Sequence, residues 1–167
     1  MAEERPPFDP VGLLGTLQRH QVGYIVIGAL GRVLQGTDEL TRGVDIVPSA
    51  KGQNLERLDA ALQDLNARHP DGREVSFQGD VPLDEPVELM TDRGELKVIL
   101  EPAGTRGYDD LRKAATREGI GRGVRPAVAS TDDLARMLAA LGREDDGTKL
   151  QDLRRLAELE RGLGLEL

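Results

Sequence analysis

The chain has 167 residues, 38% of them hydrophobic, and carries 30 acidic against 22 basic side chains for a formal charge of −8. That length suits one domain with a sizeable core, and the acidic balance argues against sequence-independent nucleic-acid binding, which needs clustered Lys and Arg; a local basic patch stays open. With no cysteine there are no disulfides or thiolate zinc sites, no apolar run approaches the roughly 20 residues of a membrane span, and the amino-terminal stretch MAEERPPFDP lacks a signal-peptide core, so a cytoplasmic location is expected.

Aromatic residues make up 2% of the chain, so Leu, Val, Ile and Ala must build the core, and rows of base-stacking side chains are not expected. Residues 1–8 read as a flexible tail. Asp9-Pro10 then supplies a helix N-cap followed by proline at the first helical position, and Leu13, Leu14 and Leu17 carry the helix to His20, a surface residue at its end. Tyr24 to Ile27 is an apolar run rich in β-branched residues and of strand length, broken at Gly28 where a tight turn is needed. A short helix with Leu30, Val33 and Leu34 follows and stops at Gly36. Val44, Ile46 and Val47 begin a second strand that leaves Asp45 on the alternate face.

Leu55, Leu58, Leu62 and Leu65 predict an amphipathic helix over Gln53 to Arg68, ended by His69-Pro70-Asp71-Gly72. Three strands are then predicted: one around Val75 and Phe77, and two flanking the turn Thr91-Asp92-Arg93-Gly94 that should pair as a hairpin. A loop leads into a helix at Tyr108-Asp109-Asp110-Leu111, and a strand from Val124 to Ala129 follows a glycine-rich turn. Ser130 caps a helix with Leu134, Met137, Leu138 and Leu141 on one side, and Leu150, Leu153, Leu156 and Leu159 support a last helix ending near Gly162.

The segment from Tyr24 to Pro48 resembles the nucleotidyltransferase superfamily, in particular its minimal, toxin-like (abortive-infection-type) members. In these a glycine turn after the first strand faces two aspartates, two residues apart, on the second. The matching residues are Gly28-Ala29, Gln35-Gly36 and Thr41-Arg42-Gly43-Val44-Asp45-Ile46. Two carboxylates on one strand face can chelate a Mg²⁺ that also holds nucleotide phosphates. Gly43 stands where the first aspartate belongs, and only Asp45 remains. The third carboxylate of the resembling family falls at Lys97, whose ammonium could pair with Asp45 instead. A lysine expected to face phosphates is Leu138. Ser130, Asp133, Leu134, Gly142, Arg143 and Asp146 extend the resemblance to the carboxy-terminal part.

The resemblance implies an α/β (α+β) fold, a mixed sheet flanked by helices, as one domain over residues 1–167 with a helical part at 130–161. It implies Asp45 as the catalytic carboxylate, Gly28, Ala29, Thr41, Arg42 and Arg143 as nucleotide contacts, and Mg²⁺ with a nucleoside triphosphate as cofactors of an active enzyme. Glu95 shares a strand face with Lys97, about 7 Å from the missing aspartate, and is the candidate partner of Asp45 for a rebuilt metal site. The three losses at Gly43, Lys97 and Leu138 favour a catalytically impaired scaffold, needing no cofactor, that acts through nucleotide or protein-partner binding. The alternatives are an active transferase modifying RNA or protein, and a structural or assembly subunit. No membrane association and no sequence-specific DNA binding are expected. Gly142 to Lys149 has the glycine spacing of a phosphate loop but the wrong residue order, and a helix precedes it. The Asp132-Asp133 and Asp145-Asp146 pairs diverge by about 100° on a helix and suit no single ion.

Overall fold

Four consecutive apolar residues make the strand β1 (Tyr24–Ile27) buried on both faces, which requires a strand on each side and helices above and below. The computed structural model, which describes residues 7–79 and 81–166, provides both. The helix α1 (Pro10–Arg19) starts as expected, with the Asp9 carboxylate accepting from the Gly12 N–H at 2.9 Å. Residues 1–6 of the expected tail lie outside the described residues. Phe8, assigned to that tail, instead packs against the core, and the Asp9 N–H donates to the Arg93 carbonyl at 2.8 Å.

β1 runs straight into α2 (Gly28–Gln35) because Gly28 adopts φ +67, a left-handed conformation that reverses the chain without a loop. β2 (Gly43–Pro48) returns antiparallel to β1, and α3 (Gly52–Asp64) follows. α3 is shorter than its leucine spacing predicts, since Asn66 takes φ +50 and Arg68 bridges to Met90 and Glu74. The strand expected at Val75 and Phe77 does not form. Phe77 is buried as a side chain, while its N–H is taken by the Asp59 carboxylate of α3 at 2.8 Å rather than by a neighbouring strand.

β3 (Val87–Thr91) and β4 (Gly94–Val98) form the expected hairpin. After α4 (Tyr108–Leu111), two short strands, β5 (Thr116–Arg117) and β6 (Ala127–Val128), close the sheet; β5 had no sequence signal. α5 (Thr131–Leu141) is capped by Ser130 and ends at Gly142, and α6 (Gly147–Glu166) runs past the predicted stop at Gly162.

The strand order is β3-β4-β2-β1-β6-β5, mixed, with parallel pairs β2/β4 and β1/β6. One face buries Val26, Val44, Ile46, Leu96 and Val98 against α1 and α3. The other buries Ile25, Ile27 and Val47 against Leu111, Leu134, Leu138 and Leu153 of the carboxy-terminal helices. The α/β architecture with a mixed sheet flanked by helices is therefore the one the sequence implied.

Candidate functional site

Strand periodicity puts Gly43, Asp45 and Val47 on the face of β2 that looks toward α5 and α6. The parallel ladder sets Gly43 opposite Glu95 and Asp45 opposite Lys97, and the β3/β4 ladder sets Lys97 opposite Glu88. The result is a charge row across three strands, acid, base, acid. Lys97 lies 3.9 Å from Glu88 Oε1, and among the described residues this is its ion pair. The expected direct Lys97–Asp45 salt bridge is thus replaced by adjacency in register, with Lys97 leaning toward the outer strand.

Gly28 positions the Asp45 carboxylate. A Cβ on Gly28 would collide with Asp45 Oδ2 and come within 2.9 Å of its Cγ, so the absence of a side chain lets the turn press on the acid. Burial pushes the Asp45 carboxyl above the usual carboxylate range; Lys97, Arg32 and Arg143 pull it back only in part, and Glu88 adds to the rise.

Gly43 is closed off in a different way. A Cβ there would strike the Glu95 carbonyl oxygen and lie 2.8 Å from the Glu95 Cβ. The backbone of β4 thus occupies the space that an aspartate side chain would need.

Two concavities flank Asp45. One, of about 460 Å³, is lined by Gly28, Ala29, Arg32, Asp45, Lys97, Arg143 and Lys149, with Leu134, Met137, Leu138 and Leu141 forming an apolar wall. The other, of about 450 Å³, brings Thr41, Asp45, Glu88, Glu95 and Lys97 together. Of the residues singled out in the sequence, Gly28, Ala29, Asp45 and Arg143 therefore share one cleft, while Thr41 and Glu95 join Asp45 in the second. Arg42 is exposed and lines neither. The Thr41 hydroxyl donates to the Gly43 carbonyl at 2.6 Å, a local turn contact.

Sequence reasoning passed over Arg32 and Glu39 and met Lys149 only at the end of the rejected phosphate-loop pattern. Arg32 is buried and makes a two-point contact with Glu39, Nε to Oε2 at 2.8 Å and an Nη to Oε1 at 3.0 Å. Lys149 reaches Glu39 at 3.8 Å and Asp146 at 3.9 Å, and Arg143 pairs with Asp146. Burial alone would raise the Glu39 carboxyl, but hydrogen bonds from Arg32 and Thr37 outweigh it and hold the group below the usual range. Arg32 and Glu39 lie close in sequence, as do Arg143, Asp146 and Lys149, but the two groups are joined by Lys149 and Glu39, which no local spacing brings together.

A magnesium ion asks for several hard oxygen ligands at near-octahedral angles. Gly43 offers none, and Lys97 sets an ammonium in the carboxylate row. Among the described residues no group of three or more His, Cys, Asp or Glu is placed to hold a metal ion. The residues present do not fit Mg²⁺.

Solved structures share this architecture. The chain is similar to the lincosamide antibiotic adenylyltransferase LnuA, with a TM-score of 0.60 at 15% identity over 90% of this chain and 99% of that one. It is similar to a putative nucleotidyltransferase from Thermotoga maritima, at 0.57 and 15% identity over 86% and 89%. It is also similar to the antibiotic-resistance factor ANT(2'')-Ia, at 0.55 and 12% identity over 92% and 85%. The fold is that of the nucleotidyltransferases. No protein-family model and no curated relative matches the sequence.

Proposed function

We propose that this nucleotidyltransferase-fold protein is catalytically impaired and acts by binding, with cations of the cleft beside Asp45 receiving an anionic nucleotide in place of a metal ion. The observation that carries this reading is the register Glu88–Lys97–Asp45, which puts an ammonium where metal chemistry needs a carboxylate. The closed space at Gly43 supports it. Lys97, Arg143 and Lys149 line the same cleft as the apolar Leu134, Met137, Leu138 and Leu141, a combination suited to a ligand with a charged and an apolar part.

One feature favours a second reading, an active transferase with a rebuilt site: Glu95 and Asp45 line the same 450 Å³ concavity. The two readings separate in one experiment. The protein is incubated with labelled nucleoside triphosphates, RNA and protein acceptors, with Mg²⁺ or with EDTA, and nucleotide binding is followed by calorimetry. The impaired scaffold yields no labelled acceptor, Mg²⁺ does not tighten nucleotide binding, and the Mg²⁺ complex does not reach micromolar affinity. Mg²⁺-dependent labelling that is lost in both Asp45→Asn and Glu95→Gln establishes the active enzyme instead.

A further inference from the structure

The chain is acidic as a whole, yet residues 104–129 hold six cations, Arg106, Arg112, Lys113, Arg117, Arg122 and Arg125, against three acids. Folding concentrates that excess. Two concavities, of about 660 and 410 Å³, meet along a shared wall of Arg112 and Lys113. The larger also takes Arg106 and, from α5, Arg136, which lies far away in sequence. The smaller takes Arg117 of the edge strand β5, together with Tyr108 and the small apolar residues Ala115 and Ala127. None of these residues lines the clefts around Asp45.

The carboxylates within this surface are already engaged. Asp110 accepts from the Arg106 N–H at 3.0 Å and pairs with Arg136 at 3.2 Å, and Asp109 pairs with Arg112 at 3.2 Å. Among the described residues, neither Lys113 nor the Arg106 side chain has a carboxylate within ion-pair distance. Arg117 is aimed by a bond to the Arg125 carbonyl at 3.0 Å, which satisfies one guanidinium nitrogen, and among the described residues its charge has no carboxylate within ion-pair distance. A surface with three cations outside any ion pair among the described residues (Arg106, Lys113 and Arg117), two acid–base pairs and a recess walled by one tyrosine and small apolar groups has two functions to offer. It can contact successive phosphates, and it can seat a base between them.

We infer that this surface binds a single-stranded nucleic acid, with phosphates on Arg106, Arg112, Lys113 and Arg117 and a base in the recess beside Tyr108. A base inside a duplex is stacked and paired and cannot enter a recess, so single strands are preferred. With one aromatic side chain rather than a row, most of the affinity is electrostatic. The inference stands on a face separate from the nucleotide cleft and does not depend on whether transfer survives there.

The test uses the full chain and fluorescein-labelled 12-nucleotide single strands of mixed sequence, as RNA and as DNA, in anisotropy titrations at several salt concentrations. Single strands bind in preference to the duplex of the same sequence, and Kd weakens with salt with a log–log slope of about 2 to 3 for three or four phosphate contacts. Arg106→Glu with Lys113→Glu weakens binding at least about tenfold; both side chains are exposed, and thermal melts check that the variant folds. Tyr108→Leu, which keeps an apolar body, weakens binding several-fold with the salt slope unchanged. The inference is overturned if neither strand binds at low salt, if the charge reversal leaves Kd unchanged, if the duplex binds as tightly, or if Tyr108→Leu has no effect. It is also overturned if a poly-glutamate peptide competes as well as the unlabelled strand, which would make this a docking surface for an acidic protein segment.

Discussion

Gly43 on β2 lies directly opposite Glu95 on β4, and the carbonyl of Glu95 fills the space where a Cβ of residue 43 would go. The obstacle is backbone, which cannot rotate away as a side-chain tip would. Gly43→Asp should therefore destabilise the fold by about 1–3 kcal/mol, the usual range for overpacking, and should restore no metal binding alone. Urea melts and Mg²⁺ titration check both. A variant as stable as the parent would show that β4 yields at little cost.

The charge row predicts unequal coupling. The Lys97–Glu88 contact is long, at 3.9 Å, and its side chains are 38% and 66% exposed, so a double-mutant cycle on Lys97→Ala and Glu88→Ala should give no more than about 1 kcal/mol. Asp45 is less accessible and feels Lys97 as its strongest compensating charge. The Lys97–Asp45 cycle should give the larger coupling energy, and strictly additive effects there would mean that adjacency in register carries no interaction.

Asp45 also makes stability depend on pH in a defined direction. Its folded carboxyl titrates above the ordinary value of 3.8, so the folded state holds its proton more tightly than the unfolded one. The penalty for ionising it is absent at low pH, grows as pH rises from 3.8 through the folded value, and is constant above that. Asp45→Asn should consequently melt higher than the parent at neutral pH and lose that advantage near pH ~3. Melts across this range measure the difference, and an advantage that instead grew on acidification would reverse the assignment.

The Arg32–Glu39 contact behaves oppositely. Its side chains are 8% and 11% exposed, so Glu39→Ala leaves a buried guanidinium without its main partner and should cost about 3–5 kcal/mol. Because the Glu39 carboxyl titrates below its ordinary value of 4.5, its contribution is present above that pH and is lost as pH falls through the folded value. Acid titration followed by circular dichroism should show a shallower acid loss in Glu39→Gln than in the parent.

Local chemistry made much of this molecule legible. A four-residue apolar run with three β-branched members, followed by glycine, reads as a buried strand entering a turn, and an Asp-Pro start, a Ser130 cap and leucines at helical spacing mark helices by interactions within a few residues. The family resemblance, rather than local chemistry, singled out Gly28, Ala29, Asp45 and Arg143, which line one cleft, along with Thr41, Arg42 and Glu95, which do not line it, and it marked the lysine at position 97. Local chemistry failed where a side chain's partner lies far along the chain. Phe77 looked like a strand residue because its apolar alternation is independent of who takes its N–H, and Asp59 on α3 does so. Glu88 became a neighbour of Lys97 only through the β3/β4 register, Lys149 joined the Arg32–Glu39 pair only when the start of α6 came up against the segment after α2, and the basic surface formed only when Arg136 of α5 came up against α4. The closing of Gly43 by the Glu95 carbonyl is the sharpest case. A glycine at a ligand position reads in sequence as a missing carboxylate, whereas the spacing of two parallel strands decides whether one could be put back. Elements follow from short-range sterics and hydrogen bonds, but charge rows, buried pairs and filled spaces follow from register and packing, which the whole chain sets together.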